Sequence, residues 1–204
     1  MAKAEHLESL RHRIDAAVAE LAALTSEEVV RRGGLTREGD GLGLELLGVR
    51  YTFSWPDLVV RTSSGEVCPD FLRILLLDYL RHGDGSPPTE KWIGYQELPD
   101  GAFYRQAFQG YSGDRLVREL GGDIEAFRRA AASVGGEPVE MGDAGYVFRA
   151  LPNVPLAIVW WAGDDEFPAN ATVLFDEVAG RYLPADGLAL LGSMLCSALR
   201  KVAR

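Results

Sequence analysis

Residues 42–62 read LGLELLGVRYTFSWPDLVVRT, and this stretch decides the class of fold. Its segments LGLELLG, VRYTFSW and DLVVRT alternate apolar with polar residues or cluster β-branched and aromatic ones, as strands do. Gly48, Trp55-Pro56-Asp57 and Ser63-Ser64-Gly65 punctuate them as turns. Connections this short cannot make parallel crossovers, so the strands form an antiparallel meander over 42–67.

Helical patterns flank the meander. Leu7, Leu10, Ile14, Ala17, Leu21 and Leu24 recur at 3-4-3-4-3 spacing, a stripe along one side of a first helix. Glu8, Arg11, Arg13, Asp15 and Glu20 occupy the other side. Such a stripe serves either as a coiled-coil seam with a second copy, giving a homodimer, or as the face laid on the chain's own core. The small Ala17 and the end of the pattern after three repeats favour the second. Thr25 and Ser26 before Glu28 form a capping-box signature for a second helix, which Gly33-Gly34 ends. Residues 1–34 are therefore a helical segment.

CPDFLRILLLDYLRHGDG at 68–85 is a strongly apolar helix, started by Pro69-Asp70 and stopped by Gly83. DGSPPTE at 84–90 is the stretch best suited to a mobile surface loop. WIGYQEL at 92–98 reads as a strand, followed by the turn Leu98-Pro99-Asp100-Gly101 and three short helices to Gly135-Gly136. Asp123 is placed to cap the third. Residues 137–204 return to strands: YVFRALP and VPLAIVWWAG joined around Asn153, then ATVLFD. A last helix opens at Pro184 and Asp186 and ends in basic residues that suit its dipole. The fold expected is α+β, one domain over 1–204, with a largely antiparallel sheet of five to seven strands and helices mainly on one face.

Composition bounds the function. The 204 residues carry 21 basic and 30 acidic side chains, a formal net charge of −9. Without clustered Lys and Arg there is no footprint for phosphates, which argues against nucleic acid and against anionic membranes. The two cysteines, Cys68 and Cys196, lie far apart with no CxxC spacing, so this chain builds no iron–sulfur cluster or cysteine zinc site by itself. They read as buried thiols of a reducing compartment. MAKAEHLESLRHR at the N-terminus has no apolar core of a signal peptide, and the longest apolar run, at 151–163, is short and holds two prolines. A cytoplasmic protein is the expectation. His6, His12 and His82 suit neither a metal site nor a hydrolytic triad. GxGxxG and GxxxxGK[ST] are both absent.

The most distinctive run is WWAGDDEFPANATVLFD at 160–176. Adjacent Trp160 and Trp161 face opposite sides of a strand. The plainer reading packs both into the core of a sheet covered on two faces; the alternative leaves one as an exposed aromatic platform beside the acids. Asp164, Asp165 and Glu166 repel one another and must face water, a cation or basic groups. With Asp176 they make a candidate divalent-cation set of hard oxygen ligands, although the spacing is not that of an EF-hand. The plainer reading is a solvated turn in which Asp164 or Asp165 caps backbone amides. Tyr95, Glu97, Tyr104 and Arg105 are the remaining polar candidates. Glu97 with Arg105 suits either a polar ligand or an ion pair.

Several segments together resemble the "domain of unknown function 3786" family over nearly the whole chain. They are LLLDYL at 75–80, WIGYQELPDGAFYRQAF at 92–108, Gly135-Gly136, Gly142-Asp143, LPNVP at 151–155, the 160–176 run and YLPAD at 182–186. The resemblance implies a prokaryotic protein of mostly anaerobic organisms, with relatives that carry an added iron–sulfur segment or stand near corrinoid and one-carbon chemistry. This sequence has no such cysteine segment. The expectation is a noncatalytic module that binds a small ligand or serves anaerobic metabolism as an accessory. Its cleft would be bordered by Trp161, Asp164, Asp165, Glu166 and residues 92–105. The alternatives are a metal-assisted enzyme built on the acidic turn, and a protein–protein adaptor using the first helix.

Overall fold

A computed structural model describes residues 2–203, with side chains from Glu8 onward. The side chains of His6 and Leu7 lie outside the described residues. Helix α1 (Ala2–Ala22) buries Ile14, Ala17 and Leu21 and packs on α3 (Asp70–His82). Its stripe thus faces the chain's own core. The junction is clamped electrostatically: Arg13 and Arg81 each reach the buried Asp78 carboxylate at 3.0 Å. Helix α2 (Ser26–Gly33) is capped as its sequence dictates, with the Thr25 hydroxyl accepting from the Glu28 amide and Gly34 in the left-handed region.

The expected single sheet is two. The meander forms an antiparallel four-stranded sheet of β1 (Thr36–Glu38), β2 (Gly41–Leu46), β3 (Val49–Phe53) and β4 (Val60–Thr62), in that order. Register pairs Leu42 with Phe53 and Leu44 with Tyr51, so these residues, with Leu46 and Val60, share the buried face. Arg50 donates to both the Glu38 carboxylate and the Thr36 hydroxyl on the outer face. The second sheet has five antiparallel strands in the order β5-β9-β8-β7-β6. These are β5 (Trp92–Gly94), β6 (Glu137–Val139), β7 (Ala144–Leu151), β8 (Val154–Trp161) and β9 (Asn170–Asp176). The amide of Leu47 donates to the carbonyl of Ala150 at 2.9 Å and ties the β2–β3 hairpin to β7. One buried cluster runs from Ile14 to Leu199 through both sheets.

Helices α4 (Arg105–Tyr111), α5 (Gly113–Glu119), α6 (Ile124–Ser133) and α7 (Ala185–Val202) cover one face of the five-stranded sheet. Trp160 stacks on Phe127 of α6 with centroids 5.1 Å apart, and Phe175 packs beside Phe108 of α4. Gly192 of α7 is required there, since a Cβ would stand 2.9 Å from the Phe108 ring. Asp123 caps α6 through the amides of Glu125 and Ala126, as its position before the helix predicts. Both cysteines are free and buried. Burial pushes the Cys68 thiol up to about 11 and the Cys196 thiol up to about 12. Among the described residues no helix is long and apolar enough to cross a membrane.

Glu119 joins α5 to α7, accepting from Arg115 at 2.7 Å and Arg200 at 2.5 Å. Hydrogen bonding by Arg115 foremost, then by Arg200, lowers its carboxyl from the usual 4.5 to about 2. A carboxyl lowered by folding stabilises the native state above its unfolded value, and this contribution fades as pH falls through the folded value. Glu119→Gln is therefore expected to destabilise the protein by a constant amount above about pH 5.5. That difference should shrink toward zero near pH 2 in urea titrations. A difference independent of pH would contradict the clamp.

Two sequence expectations give way to tertiary structure here. WIGYQEL leaves the sheet after Gly94, and Tyr95–Glu97 winds into a 3-10 turn in which Glu97 accepts from the Gly94 amide at 2.6 Å. The 84–90 stretch is pinned rather than free. Asp84 accepts from the Ser86 amide, and the Tyr182 hydroxyl donates to the Ser86 carbonyl at 2.6 Å. The fully buried Asp176 carboxylate accepts from the Thr89 amide and hydroxyl and from the Glu90 amide.

Candidate functional site

A cleft of about 600 Å³ opens between the 95–111 segment and the start of α7. Three tyrosines reach it from one side. Tyr95 comes from the 3-10 turn after β5, Tyr104 from the end of a second 3-10 turn (Ala102–Tyr104), and Tyr111 from the end of α4. Tyr104 and Tyr111 are seven residues apart, two helical turns, which brings their rings to 6.1 Å at 53°. Tyr95 is buried, stacks on Phe108 at 4.4 Å, and donates its hydroxyl to the Ala185 carbonyl at 3.0 Å. The 95–111 segment is thereby tied to the first turn of α7.

The opposite wall is α7, with Ala189 and Leu190 as an apolar floor and Asp186 and Ser193 as polar groups. Asp100 completes the rim from the Pro99-Asp100-Gly101 turn, where its backbone adopts φ 62°. Asp is among the few side chains that tolerate this left-handed conformation. Gly101 is obligatory beside it: a Cβ there would stand 1.9 Å from the Tyr95 carbonyl oxygen. Neither Asp100 nor Asp186 has an ion-pair partner among the described residues, and no Lys, Arg or His lines the cleft. Burial foremost, and then the neighbouring Tyr104, push the Tyr111 phenol up; burial also raises Tyr95. These two phenols therefore stay neutral at physiological pH. A smaller hollow of about 340 Å³ adjoins across Asp100 and Pro184, with His82 and Arg181 on its walls.

The residues singled out from sequence divide between places. Tyr95 lines this cleft, and Tyr104 with it. Glu97 turns back to cap its own turn, and Arg105 is exposed with no ion-pair partner among the described residues, so the two do not pair. Trp161 lies elsewhere. It is 41% exposed and lines a second cleft with Phe167, Arg118, Asp114 and Asn170, which shares no residue with the first. Asp164 closes the β8–β9 turn by accepting from the amides of Phe167 at 2.7 Å and Glu166 at 2.9 Å, and these bonds lower its carboxyl. Asp165 and Glu166 face solvent and line neither cleft.

Asp176 stands at the far end of β9 from this turn, about 20 Å away at the rise of a strand. The four acids do not converge, and among the described residues no group of three His, Cys, Asp or Glu is placed to hold a metal.

Sequence reading missed Tyr111, Asp100, Asp186 and Ser193. The seven-residue spacing of Tyr104 and Tyr111 was the available signal. Nothing local connects either to α7.

The family match covers the site completely. Residues 25–198 match the family described as Domain of unknown function (DUF3786). The chain belongs to the DUF3786 family. Both clefts lie within the matched span, as do the β8–β9 turn and the buried Asp176. No curated protein and no solved structure matches the chain significantly.

Proposed function

We propose that this protein is a noncatalytic module that binds a small molecule in the tyrosine cleft. It would act as an accessory in the anaerobic metabolism to which its family resemblance points. The observation that carries this reading is the convergence of three tyrosine rings, two carboxylates and a serine hydroxyl on one cavity of about 600 Å³. Small-molecule sites have this volume and this mixture of an apolar wall with a few placed polar groups. The wall is preorganised, since Tyr95 is fixed by Ala185 and by the Phe108 stack. Reduced reorganisation on binding favours affinity. A binding role fits better than covalent catalysis because both thiols are buried and protonated, away from the cleft.

A ligand that binds only the native state raises the unfolding temperature by mass action, by about 2.7 kcal/mol of stability at a hundredfold excess over Kd. Thermal melts of the full chain against a broad metabolite set are expected to show such a rise. The rise should be lost in Tyr104→Ala, whose ring is half exposed and contributes little to the core. If no compound raises the melting point, or if Tyr104→Ala responds like the parent, the tyrosine cleft is not the site.

A further inference from the structure

We infer that the ligand of the tyrosine cleft is a small organic ammonium cation. This inference rests on the preceding reading that the cleft is a ligand site.

The walls offer a positive charge two kinds of stabilisation. Ring faces of Tyr104 and Tyr111 attract a cation through their quadrupoles, an attraction that strengthens as water is excluded. Asp100 and Asp186 add formal negative charge, and neither has an ion-pair partner among the described residues. Burial first, and then the neighbouring Tyr104, raise the Tyr111 phenol, which therefore contributes as a neutral ring. At longer range, the net charge of −9 steers cations toward the surface and repels anions.

Two competing ligand classes fit less well. An anion would look to the amino end of α7, where helix dipole and free amides are favourable. Asp186 already occupies that first turn and accepts from the Gly187 amide at 3.0 Å, so the positive end is answered from within. A hard metal ion needs six or more oxygens at short range. The cleft presents two carboxylates beside the apolar Ala189 and Leu190, and among the described residues no group of three His, Cys, Asp or Glu is placed to hold a metal. An ammonium group clothed in hydrocarbon matches that surface; a bare ion does not.

The experiment is isothermal titration of the full chain with five cations: tetramethylammonium, choline, putrescine, agmatine and trimethyllysine. Each is paired with a neutral analogue of similar shape, 3,3-dimethylbutan-1-ol for choline. Calcium chloride is titrated separately. At least one cation is expected to bind ~10-fold or more tightly than its neutral analogue. Tyr104→Ala should weaken it by a similar factor, Tyr104→Phe should leave it nearly unchanged, and Asp186→Asn should weaken it and reduce its salt dependence. Equal affinity for cation and analogue, or binding indifferent to both Tyr104→Ala and Asp186→Asn, overturns the inference. Tyr104-dependent binding of a neutral or anionic metabolite, with all five cations inert, overturns the cation class and leaves the ligand site standing. The absence of any Tyr104-dependent ligand removes both.

Discussion

Replacing Asp176 by alanine is expected to cost about 3–5 kcal/mol of stability, the largest effect of any single polar substitution considered for this protein. The carboxylate is fully buried at the end of β9 and uses both oxygens. Oδ2 accepts from the amides of Thr89 and Glu90 at 2.9 and 2.7 Å; Oδ1 accepts from the Thr89 hydroxyl and the Val178 amide, each at 3.1 Å. Alanine would leave these donors without a partner in a site closed to water, and unsatisfied buried donors cost more than the bonds themselves contribute. Asparagine retains one acceptor and turns an amide toward two donors, so it should fall between the parent and alanine.

Urea unfolding measures both variants through the midpoint, with the slope checked for constancy. Amide exchange at Thr89 and Glu90 should accelerate before global unfolding in Asp176→Asn, because these amides lose an acceptor locally. A cost below about 1 kcal/mol for alanine would mean that the 84–90 stretch is held by something else. The metal-ligand role considered for Asp176 makes a different prediction, namely stabilisation by divalent cations that the variant loses.

The second large effect separates two adjacent tryptophans. Trp160→Ala should cost about 3–5 kcal/mol, the range for removing a large buried aromatic, whereas Trp161→Ala should stay within about 1 kcal/mol. Trp160 is fully buried against Phe127, and Trp161 is exposed on the other face of β8. Trp160→Phe is the informative intermediate. The indole Nε1 is buried without a hydrogen-bond partner among the described residues, so phenylalanine removes an unsatisfied donor while keeping most of the stack. Its cost should therefore be much smaller than that of alanine, about 1–2 kcal/mol from the volume lost. Equal destabilisation by phenylalanine and alanine would show that Nε1 has a partner after all.

The sequence favoured core packing of both tryptophans, and the exposure of Trp161 corrects that, since what covers each face of a sheet is decided by distant segments. That the two face opposite sides of β8 was legible, because the alternation of a strand is a property of each residue's own backbone. Helix boundaries were legible for a similar reason. Thr25 capping α2, Asp123 capping α6 and Gly83 ending α3 act within a few residues of themselves. The turn at Asp164–Glu166 was open to two readings, and its geometry is local amide capping by Asp164.

What the sequence could not show depends on partners distant along the chain. Strand β5 pairs with β9, so that Trp92 lies opposite Asp176, and no local pattern specifies that register. Its brevity follows from Tyr95, whose ring is drawn to Phe108 and whose hydroxyl finds Ala185. Tyr79 shows the same principle in the core. Its hydroxyl donates to the Gly33 carbonyl at 2.7 Å and accepts from the Asn153 amide at 3.1 Å, joining three segments that nothing in the sequence connects.

By itself, then, the sequence determined the α+β class, most of the elements, the caps of α2 and α6, and the alternation along each strand, since periodicity and capping are short-range and repeat within one or two turns of chain. Only the tertiary structure decided that the strands divide into two sheets, that the 84–90 stretch is held by a buried carboxylate, and that the tyrosines of 95–111 meet Asp186 and Ser193 of α7. Those outcomes are set by which apolar faces and unpaired polar groups satisfy one another across scores of residues, a competition that is settled when the whole chain packs.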